Sequence, residues 1–478
     1  MAVALLAACA GESAGPLPPA APSIDYVDGA LEPLLERGQA VVIAGFGFGA
    51  GPGSVAFTGS GGGSVAAPVA TAADWSDVAV RTTVPDSAVS GALTLTTAGG
   101  LALTASVHVV PHLVFRPDTL LWSSRVAAAF PRAPVGVALA AAELPAGNAL
   151  ATTLYAAGGA ELIGGVLVPD SGVYVARPQA GGQVGAWVRQ RDASDLTARV
   201  LPAPRAFAAA AVATRYNSRF AGSVLYVIGG IDATGRAQAS VFAADVTPDS
   251  VAAAFTQIEP LPGPVAGALA VVKRGRIYVI GGTDSSGHPQ PSVFVGRIGL
   301  EGHVDGWYIE PPLPAPRAYG GAVLLADRAV AFGGVQDSVA PGGGLDSATV
   351  RLASSDTAPV SLASGFLTGL WTAGRALLPT GRSQFATLDL RDVVLLVGGM
   401  YTGATTNSAE TIAAAVVGDS LGPFQGPVGL NTIQSAGGGT VIGPSGVTWR
   451  DATGARHGLV LGGIDLSTGL RKASAWGF

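Results

Sequence analysis

The chain is poor in the residues that usually mark disulfide-stabilised, metal-binding or nucleic-acid-binding proteins. Of its 478 residues one is cysteine, five are histidine and only 12% are charged, against about 25% in an ordinary globular protein. A single cysteine cannot form a disulfide framework within the chain. The net charge is −5 and no basic block occurs, which argues against nucleic acid as a partner because that binding needs clustered Lys and Arg.

Long hydrophobic runs are also missing, although 49% of the residues are hydrophobic. No run approaches the ~18 apolar residues that a membrane-spanning helix needs. With 69 Gly and 33 Pro, the chain has many turns and few charged helical faces. These features predict an all-β fold.

The first residues form a short apolar stretch that ends in Leu6-Ala7-Ala8-Cys9. This stretch resembles a bacterial lipoprotein signal, and the resemblance implies lipidation of Cys9 and export to the cell envelope, with the outer membrane as the expected location. An ordinary signal peptide or a chance match is the alternative. No Lys or Arg precedes the run, although an export signal normally begins with a basic region. Residues 10–22 are rich in Pro, Ala, Gly and Ser, as in a flexible tether. Residues 1–22 are therefore predicted to be signal and tether.

Residues 23–110 contain short apolar runs separated by Gly and Pro, which predict a β-sandwich. The runs lie at 40–44, 54–57, 78–84, 92–97 and 101–110. Together with the Gly- and Phe-rich turn at 45–49 and Trp75-Ser76-Asp77, this order resembles the IPT/TIG family of Ig-like domains. The resemblance implies a spacer or protein-contact unit without chemistry of its own.

Residues 111–478 contain a Gly-Gly pair that repeatedly follows an apolar run. The pairs begin at Gly164, Gly229, Gly281, Gly333, Gly398 and Gly462, so they are spaced 52–65 residues apart. A Leu-Pro dipeptide precedes the first glycine by 20 residues in four repeats, beginning at Leu144, Leu261, Leu313 and Leu378. The pattern resembles the kelch repeat and implies a six-bladed β-propeller. We expect residues 114–123 to supply the strand that closes the ring.

The sequence predicts no catalytic residue, no metal site and no cofactor. His108 and His112 are the only histidines with close spacing, and they flank Pro111, where a linker is expected. Copper oxidases with a kelch propeller use a tyrosine cross-linked to a cysteine. The single cysteine here, Cys9, lies outside the predicted propeller, which excludes that activity. Asp232, Asp284 and Asp465 each follow a glycine pair, where aspartate commonly forms turns. Calcium or sugar binding is the alternative for these residues.

A candidate ligand site comes from resemblance to ligand-binding kelch propellers. That resemblance implies that Arg205, Arg317 and Arg382 converge at the central mouth with Tyr319 nearby. Three arginines around one opening would favour a carboxylate or an acidic peptide. The alternative is that the arginines pair with acids or cap strands. The first and third repeats align Asn148 and Val265 with these arginines, so the arginine ring is incomplete.

Three functions remain open from the sequence. The chain is interpreted first as an envelope-anchored binding or scaffold protein that presents its propeller to a protein or glycan, touching the membrane only through its lipid. The second hypothesis is a carbohydrate-active enzyme such as an epimerase or mutarotase, which requires a polar, concave central mouth. The third is a purely structural surface protein.

Overall fold

The computed structural model describes residues 21–127, 129–132, 134–146, 149–191, 199–214, 222–248, 250–299, 302–337, 350–361, 364–401, 408–433, 442–451, 453–465, 470–471 and 475–478. Cys9 lies outside the described residues. Within them the chain has 38 strands, three short 3₁₀ helices at Ala72–Asp74, Pro117–Thr119 and Ala180–Gly182, and no α-helix, which confirms the predicted all-β fold. No helical segment in this part of the chain has the length and apolar character needed to cross a membrane.

The first eight strands form a two-sheet sandwich. They are β1 (Ser23–Val27), β2 (Leu34–Glu36), β3 (Ala40–Phe46), β4 (Ser54–Gly59), β5 (Ser64–Ala67), β6 (Ala79–Thr83), β7 (Ala88–Thr96) and β8 (Ala102–Val110). One sheet has the order β1-β3-β6, and the other has the order β2-β8-β7-β4-β5. Strands β4 and β7 alternate between buried and half-buried positions, so Phe57 and Leu93 enter a core that the sandwich does not share with the rest of the chain. Trp75 closes one edge of that core, and its indole N–H donates to the Gly49 carbonyl at 3.1 Å.

The remaining strands form six blades. Blade 1 contains β9 (Ala138–Ala146), β10 (Ala149–Ala157), β11 (Ala160–Ile163), β12 (Val166–Pro169), β13 (Val173–Ala176) and β14 (Val188–Arg189). Blade 2 contains β15 (Ala209–Ala213), β16 (Ser223–Ile228), β17 (Val241–Thr247), β18 (Ser250–Val251) and β19 (Thr256–Ile258). Blade 3 contains β20 (Leu269–Lys273), β21 (Arg276–Ile280), β22 (Val293–Ile298) and β23 (Val304–Glu310).

Blade 4 contains β24 (Gly321–Leu324), β25 (Arg328–Phe332), β26 (Ser355–Pro359) and β27 (Thr372–Ala373). Blade 5 contains β28 (Arg382–Ser383), β29 (Ala386–Asp389), β30 (Val393–Val397), β31 (Met400–Tyr401), β32 (Thr411–Val417) and β33 (Ser420–Leu421). Blade 6 contains β34 (Ser445–Arg450), β35 (Arg456–Leu461), β36 (Ile464–Asp465), β37 (Leu470–Arg471) and β38 (Ala475–Gly477).

The inner strands β9, β15, β20, β24, β29 and β34 contact one another in that order and back to β9, so the ring is closed. This arrangement confirms the six-bladed propeller. We call the end of the central channel that carries the hairpins between inner and second strands the hairpin face. The opposite end carries the glycine pairs and the loops that follow them, and we call it the loop face.

The segment before blade 1 completes the ring, although not as a full strand. Ser123 and Gly477 exchange two backbone hydrogen bonds, 3.0 and 3.1 Å long. Trp122 is buried beside them, donates its indole N–H to Thr411 Oγ1 at 2.9 Å and meets the Phe478 ring edge-to-face. The expected closure by residues 114–123 therefore consists of one bridge and a buried tryptophan.

The first repeat has a different register from the one read in the sequence. Its structural glycine pair is Gly158-Gly159, which follows β10 with φ of 63° and 91°, like the pairs of the other blades. Gly164-Gly165 forms the turn between β11 and β12 instead. Leu144 lies within the inner strand β9 rather than before it, and Asn148 lies outside the described residues.

We predict that Gly158→Ala destabilises the protein by about 1–3 kcal/mol more than Gly164→Ala. Both glycines have φ near 60°, so both substitutions carry similar backbone strain. A Cβ at Gly158 would lie 2.3 Å from the Arg205 carbonyl oxygen, whereas a Cβ at Gly164 would meet nothing within 4 Å. Urea denaturation followed by tryptophan fluorescence measures the difference, and equal losses would contradict the corrected register.

Candidate functional site

The loop-face end of the channel is encircled by a closed ring of six backbone hydrogen bonds. Each blade contributes the residue two positions before its inner strand, and each such N–H donates to the carbonyl of the corresponding residue in the preceding blade. The bonds are Phe207 to Gly136 (2.8 Å), Gly267 to Phe207 (2.9 Å), Tyr319 to Gly267 (2.8 Å), Gln384 to Tyr319 (2.8 Å), Gly443 to Gln384 (2.9 Å) and Gly136 to Gly443 (3.1 Å). We call this set the backbone ring.

All six residues of the backbone ring have φ between 52° and 62°. Glycine adopts this conformation readily, but Phe207, Tyr319 and Gln384 are held in it against their preference. The glycines also make room for the large side chains. A Cβ at Gly136 would lie 2.5 Å from the Phe207 ring, and a Cβ at Gly267 would lie 2.4 Å from the Tyr319 ring.

The mouth inside this ring is apolar and filled. Phe207 and Tyr319 meet edge-to-face with ring centroids 5.5 Å apart, and both are about 7% exposed. They belong to one hydrophobic cluster that draws residues from all six blades, including Val135, Met400 and Ile442. Burial raises the pKa of Tyr319 to about 12, although a hydrogen bond with Thr283 opposes that shift. The polar, concave mouth that the enzyme hypothesis requires is not present among the described residues here.

The three predicted arginines lie inside the blades and do not meet at the mouth. Arg205, Arg317 and Arg382 are 6%, 4% and 2% exposed, and burial lowers the pKa of each guanidinium. Arg317 donates to the Gly333 carbonyl and, at 2.8 Å, to Asp356 Oδ2.

The other two arginines have similar surroundings. Arg205 donates to Ser240 Oγ at 2.7 Å and lies over the Phe242 ring. Arg382 lies over the Tyr401 ring, with Glu410 at 3.5 Å. These contacts fit the alternative that the arginines pair with acids or cap strands, and an acid partner is present for Arg317 and Arg382. Ligand binding by these residues stays an untested prediction.

The backbone of these positions explains why the arginine ring is incomplete. The second glycine of a pair donates its N–H to a carbonyl in the next blade: Gly159 to Arg205, Gly230 to Val265, Gly282 to Arg317, Gly334 to Arg382 and Gly463 to Pro134, at 2.8–2.9 Å. The repeated feature is thus a carbonyl oxygen that links neighbouring blades. Any residue supplies that atom, including Val265 and Pro134.

The other polar candidates have structural partners as well. Asp232 Oδ1 accepts the backbone N–H groups of Thr234 and Arg236, and Asp284 Oδ1 accepts those of Ser286 and His288, which confirms both as turn formers. The Asp465 side chain lies outside the described part of the structure. No group of three or more potential His, Cys, Asp or Glu metal ligands occurs in the described residues, and His112 bonds to Glu36 at 2.9 Å.

The hairpin face is covered by the Ig-like sandwich, which docks through a buried carboxylate that the sequence analysis missed. Glu36 is fully buried and bonds to Arg391, Arg450, Arg456 and His112. Burial alone would raise the pKa of Glu36, but the guanidiniums of Arg456 and Arg450 and hydrogen bonds from Arg391 and His112 outweigh it and lower the pKa to about 2. We call these five residues the Glu36 cluster.

The propeller channel contains one cavity, and the docked sandwich encloses another beneath it. A channel cavity of about 560 Å³ is lined by segments of all six inner strands, and another cavity of about 560 Å³ lies between the sandwich and the hairpin face. Leu324, Asp389 and Thr448 line both cavities, so the two spaces adjoin. We call the second cavity the interface chamber. Its lining includes five basic and five acidic side chains.

The fold and these contacts define an all-β protein in which an Ig-like sandwich is docked on a six-bladed propeller. No family model matches the chain. A stretch of 127 residues is 32% identical to beta-scruin, a kelch-repeat protein of Limulus polyphemus. The match covers 26% of this chain and only 13% of beta-scruin. It supports the kelch-type propeller over that part of the chain.

We predict that Arg317→Met lowers the free energy of unfolding by about 3–5 kcal/mol, because it leaves Asp356 buried without its partner. The matched control is Arg297→Met, which removes an exposed pair with Asp305 at 3.2 Å and should cost less than about 1 kcal/mol. Urea denaturation measures both variants. If Arg317→Met retains wild-type stability and instead loses affinity for an acidic peptide, the ligand-binding assignment is correct and the structural one is wrong.

We predict that Glu36→Gln costs about 3–5 kcal/mol at pH 7, because it leaves three guanidiniums around an uncharged group. The pKa of Glu36 falls from about 4.5 to about 2 on folding. Its contribution is therefore fully present above pH 4.5 and is lost as pH falls through about 2.

The stability difference between wild type and Glu36→Gln should accordingly shrink between pH 4.5 and pH 2. Denaturation curves over this pH range measure it. Asp25→Asn is the control, because Asp25 is exposed and hydrogen-bonds only to Ser23 in the same strand among the described residues. A difference that does not change with pH would contradict the low pKa.

Proposed function

We propose that this chain is a binding or scaffold protein of the bacterial cell envelope, which presents the loop face of its propeller to a protein partner. The sandwich covers the hairpin face, as the Glu36 cluster and the contact of Gly29 with the Arg274 backbone indicate. The loop face is left for a partner. The observation that carries the proposal is an aliphatic hairpin on this face.

That hairpin consists of β11 and β12 in blade 1. Leu162 and Leu167 lie opposite each other and pack against the apolar cluster of the mouth, which holds the hairpin in place. Its other side bears Ile163, Val166 and Val168, which are 55%, 64% and 43% exposed. Exposed aliphatic groups that are held together on a supported hairpin favour contact with a protein surface.

The envelope location is proposed from the resemblance of the first residues to a lipoprotein signal. Lipidated Cys9 would attach the chain to the membrane, and an outer-membrane lipoprotein is the assignment we favour. Residues 10–22 would form the tether between this anchor and the sandwich. The sandwich, with an IPT/TIG-like spacer role, would hold the propeller still farther away.

We predict that the double substitution Ile163→Asp and Val166→Asp abolishes partner binding at the loop face. The control is Val417→Asp, which places one such charge at a 75%-exposed valine at the end of β32, on the hairpin face. Each full-length variant would be immobilised and screened against peptide, protein and glycan arrays, with circular dichroism to verify folding.

Binding of a protein that the double variant loses and the control retains supports the proposal. A ligand that the double variant still binds would place the binding site elsewhere. Selective binding of glycans by all three proteins would overturn the assignment of a protein partner.

A further inference from the structure

Lysine is almost absent from this chain. Of 27 basic residues only Lys273 and Lys472 are lysine, and the remainder are arginine. Lys472 lies outside the described residues, whereas Lys273 ends the inner strand of blade 3 and lines the interface chamber. Arginine is the usual choice for fixed ion pairs, while lysine supplies a compact charge with three donors. The position of Lys273 therefore points to a role different from that of the surrounding arginines.

The other cations of the chamber are already paired. Arg391, Arg450 and Arg456 bind Glu36, and Arg81 binds Asp419 at 3.2 Å. Lys273 has no carboxylate within 4 Å among the described residues. Its Nζ donates to the carbonyls of Leu324 and Leu325 at 3.2 and 3.1 Å, which leaves its third N–H for another acceptor. Burial lowers the pKa of this ammonium because it removes water from the charged form. A negatively charged acceptor at this position would compensate for the lost water.

Most of the five acids of the chamber also bond to another side chain. Four of them have side-chain partners: Asp28 with Gln39, Glu143 with Arg450, Asp392 with His112 and Asp419 with Arg81. Asp389 is exposed, and its only side-chain hydrogen bond among the described residues comes from the backbone N–H of Arg391 at 3.0 Å. It lies where the chamber meets the channel, and after Asp28 it is the carboxylate that most opposes the lowering of the pKa of Lys273.

Among the described residues the chamber thus has one cation, Lys273, and two carboxylates, Asp28 and Asp389, without an ion-pair partner, and of these two carboxylates only Asp389 also lines the channel. Its five basic and five acidic groups balance. A balanced lining gives a net anion or a net cation little advantage, but it suits a molecule with one charge of each sign. Beyond Asp389 the channel wall is largely Ala and Val, including Ala210, Ala270 and Val272, and its far end is closed by the backbone ring. The volume of about 560 Å³ is within the range of small-ligand sites.

We propose that the interface chamber binds a small zwitterion of the amino-acid type, with its carboxylate on Lys273, its ammonium on Asp389 and its apolar side chain in the channel. This site is separate from the proposed partner surface on the loop face, so either can fail without the other. It requires both units of the chain, since Asp28, Gln39 and Arg81 of the sandwich form one wall.

The test is isothermal titration calorimetry, which measures the affinity of the full chain for L-leucine and then for the other neutral amino acids. Leucinamide lacks the carboxylate, and 4-methylpentanoate lacks the ammonium. We expect both analogues to bind at least about tenfold more weakly than leucine, because each leaves one charge of the site unpaired. Equal binding of 4-methylpentanoate would overturn the zwitterion assignment, and no binding by any neutral amino acid would overturn the site.

Two variants locate the site. Lys273→Met and Asp389→Asn should each lose at least about tenfold in affinity, whereas Lys472→Met should bind as the wild type does. Unchanged affinity in Lys273→Met would contradict the proposal.

Amine acylation read by peptide mass spectrometry tests the wild-type protein without any risk of misfolding, since Lys273 and Lys472 are the only lysine targets. Bound ligand should slow acylation of Lys273 but not of Lys472. Equal acylation rates of Lys273 with and without saturating ligand would contradict the assigned contact.

Discussion

Six backbone hydrogen bonds, one from each blade, join the propeller at the loop-face end of its channel. They form a closed circuit, so no blade can leave its place without breaking two of them. The circuit requires a left-handed backbone at every position, and it holds Phe207 and Tyr319 where their rings fill the mouth. The glycine pairs reinforce it, because they link neighbouring blades through carbonyl oxygens that lie just outside the ring.

The two ends of the channel consequently differ in chemistry. The loop-face end is apolar and closed, and the nearby arginines donate hydrogen bonds to acceptors inside the blades. The hairpin-face end adjoins a chamber of balanced charge, roofed by the sandwich and held by the Glu36 cluster. A partner on the described part of the loop face would therefore meet the aliphatic hairpin of β11 and β12 and not a polar cleft, while a small charged molecule would find its matching groups beneath the sandwich.

The blades could be predicted from the sequence because two constraints require glycine at each pair. The backbone there has positive φ, and a carbonyl oxygen lies too close for a Cβ. The same pattern failed in blade 1, where Gly164-Gly165 also follows an apolar run and has positive φ, but in a hairpin turn. The backbone ring could not be predicted, since Gly, Phe, Tyr and Gln all supply its N–H and C=O groups. Glu36 was missed because its partner Arg456 is 420 residues away along the chain.

Native-state hydrogen exchange at the amides of Gly136, Phe207, Gly267, Tyr319, Gln384 and Gly443 tests the central claim most directly. These residues precede the inner strands in segments that would otherwise exchange as loops. If the backbone ring holds the propeller together, all six amides exchange slowly and at a common rate set by global opening. Rapid exchange at any of them, with the neighbouring strands still protected, would contradict the account.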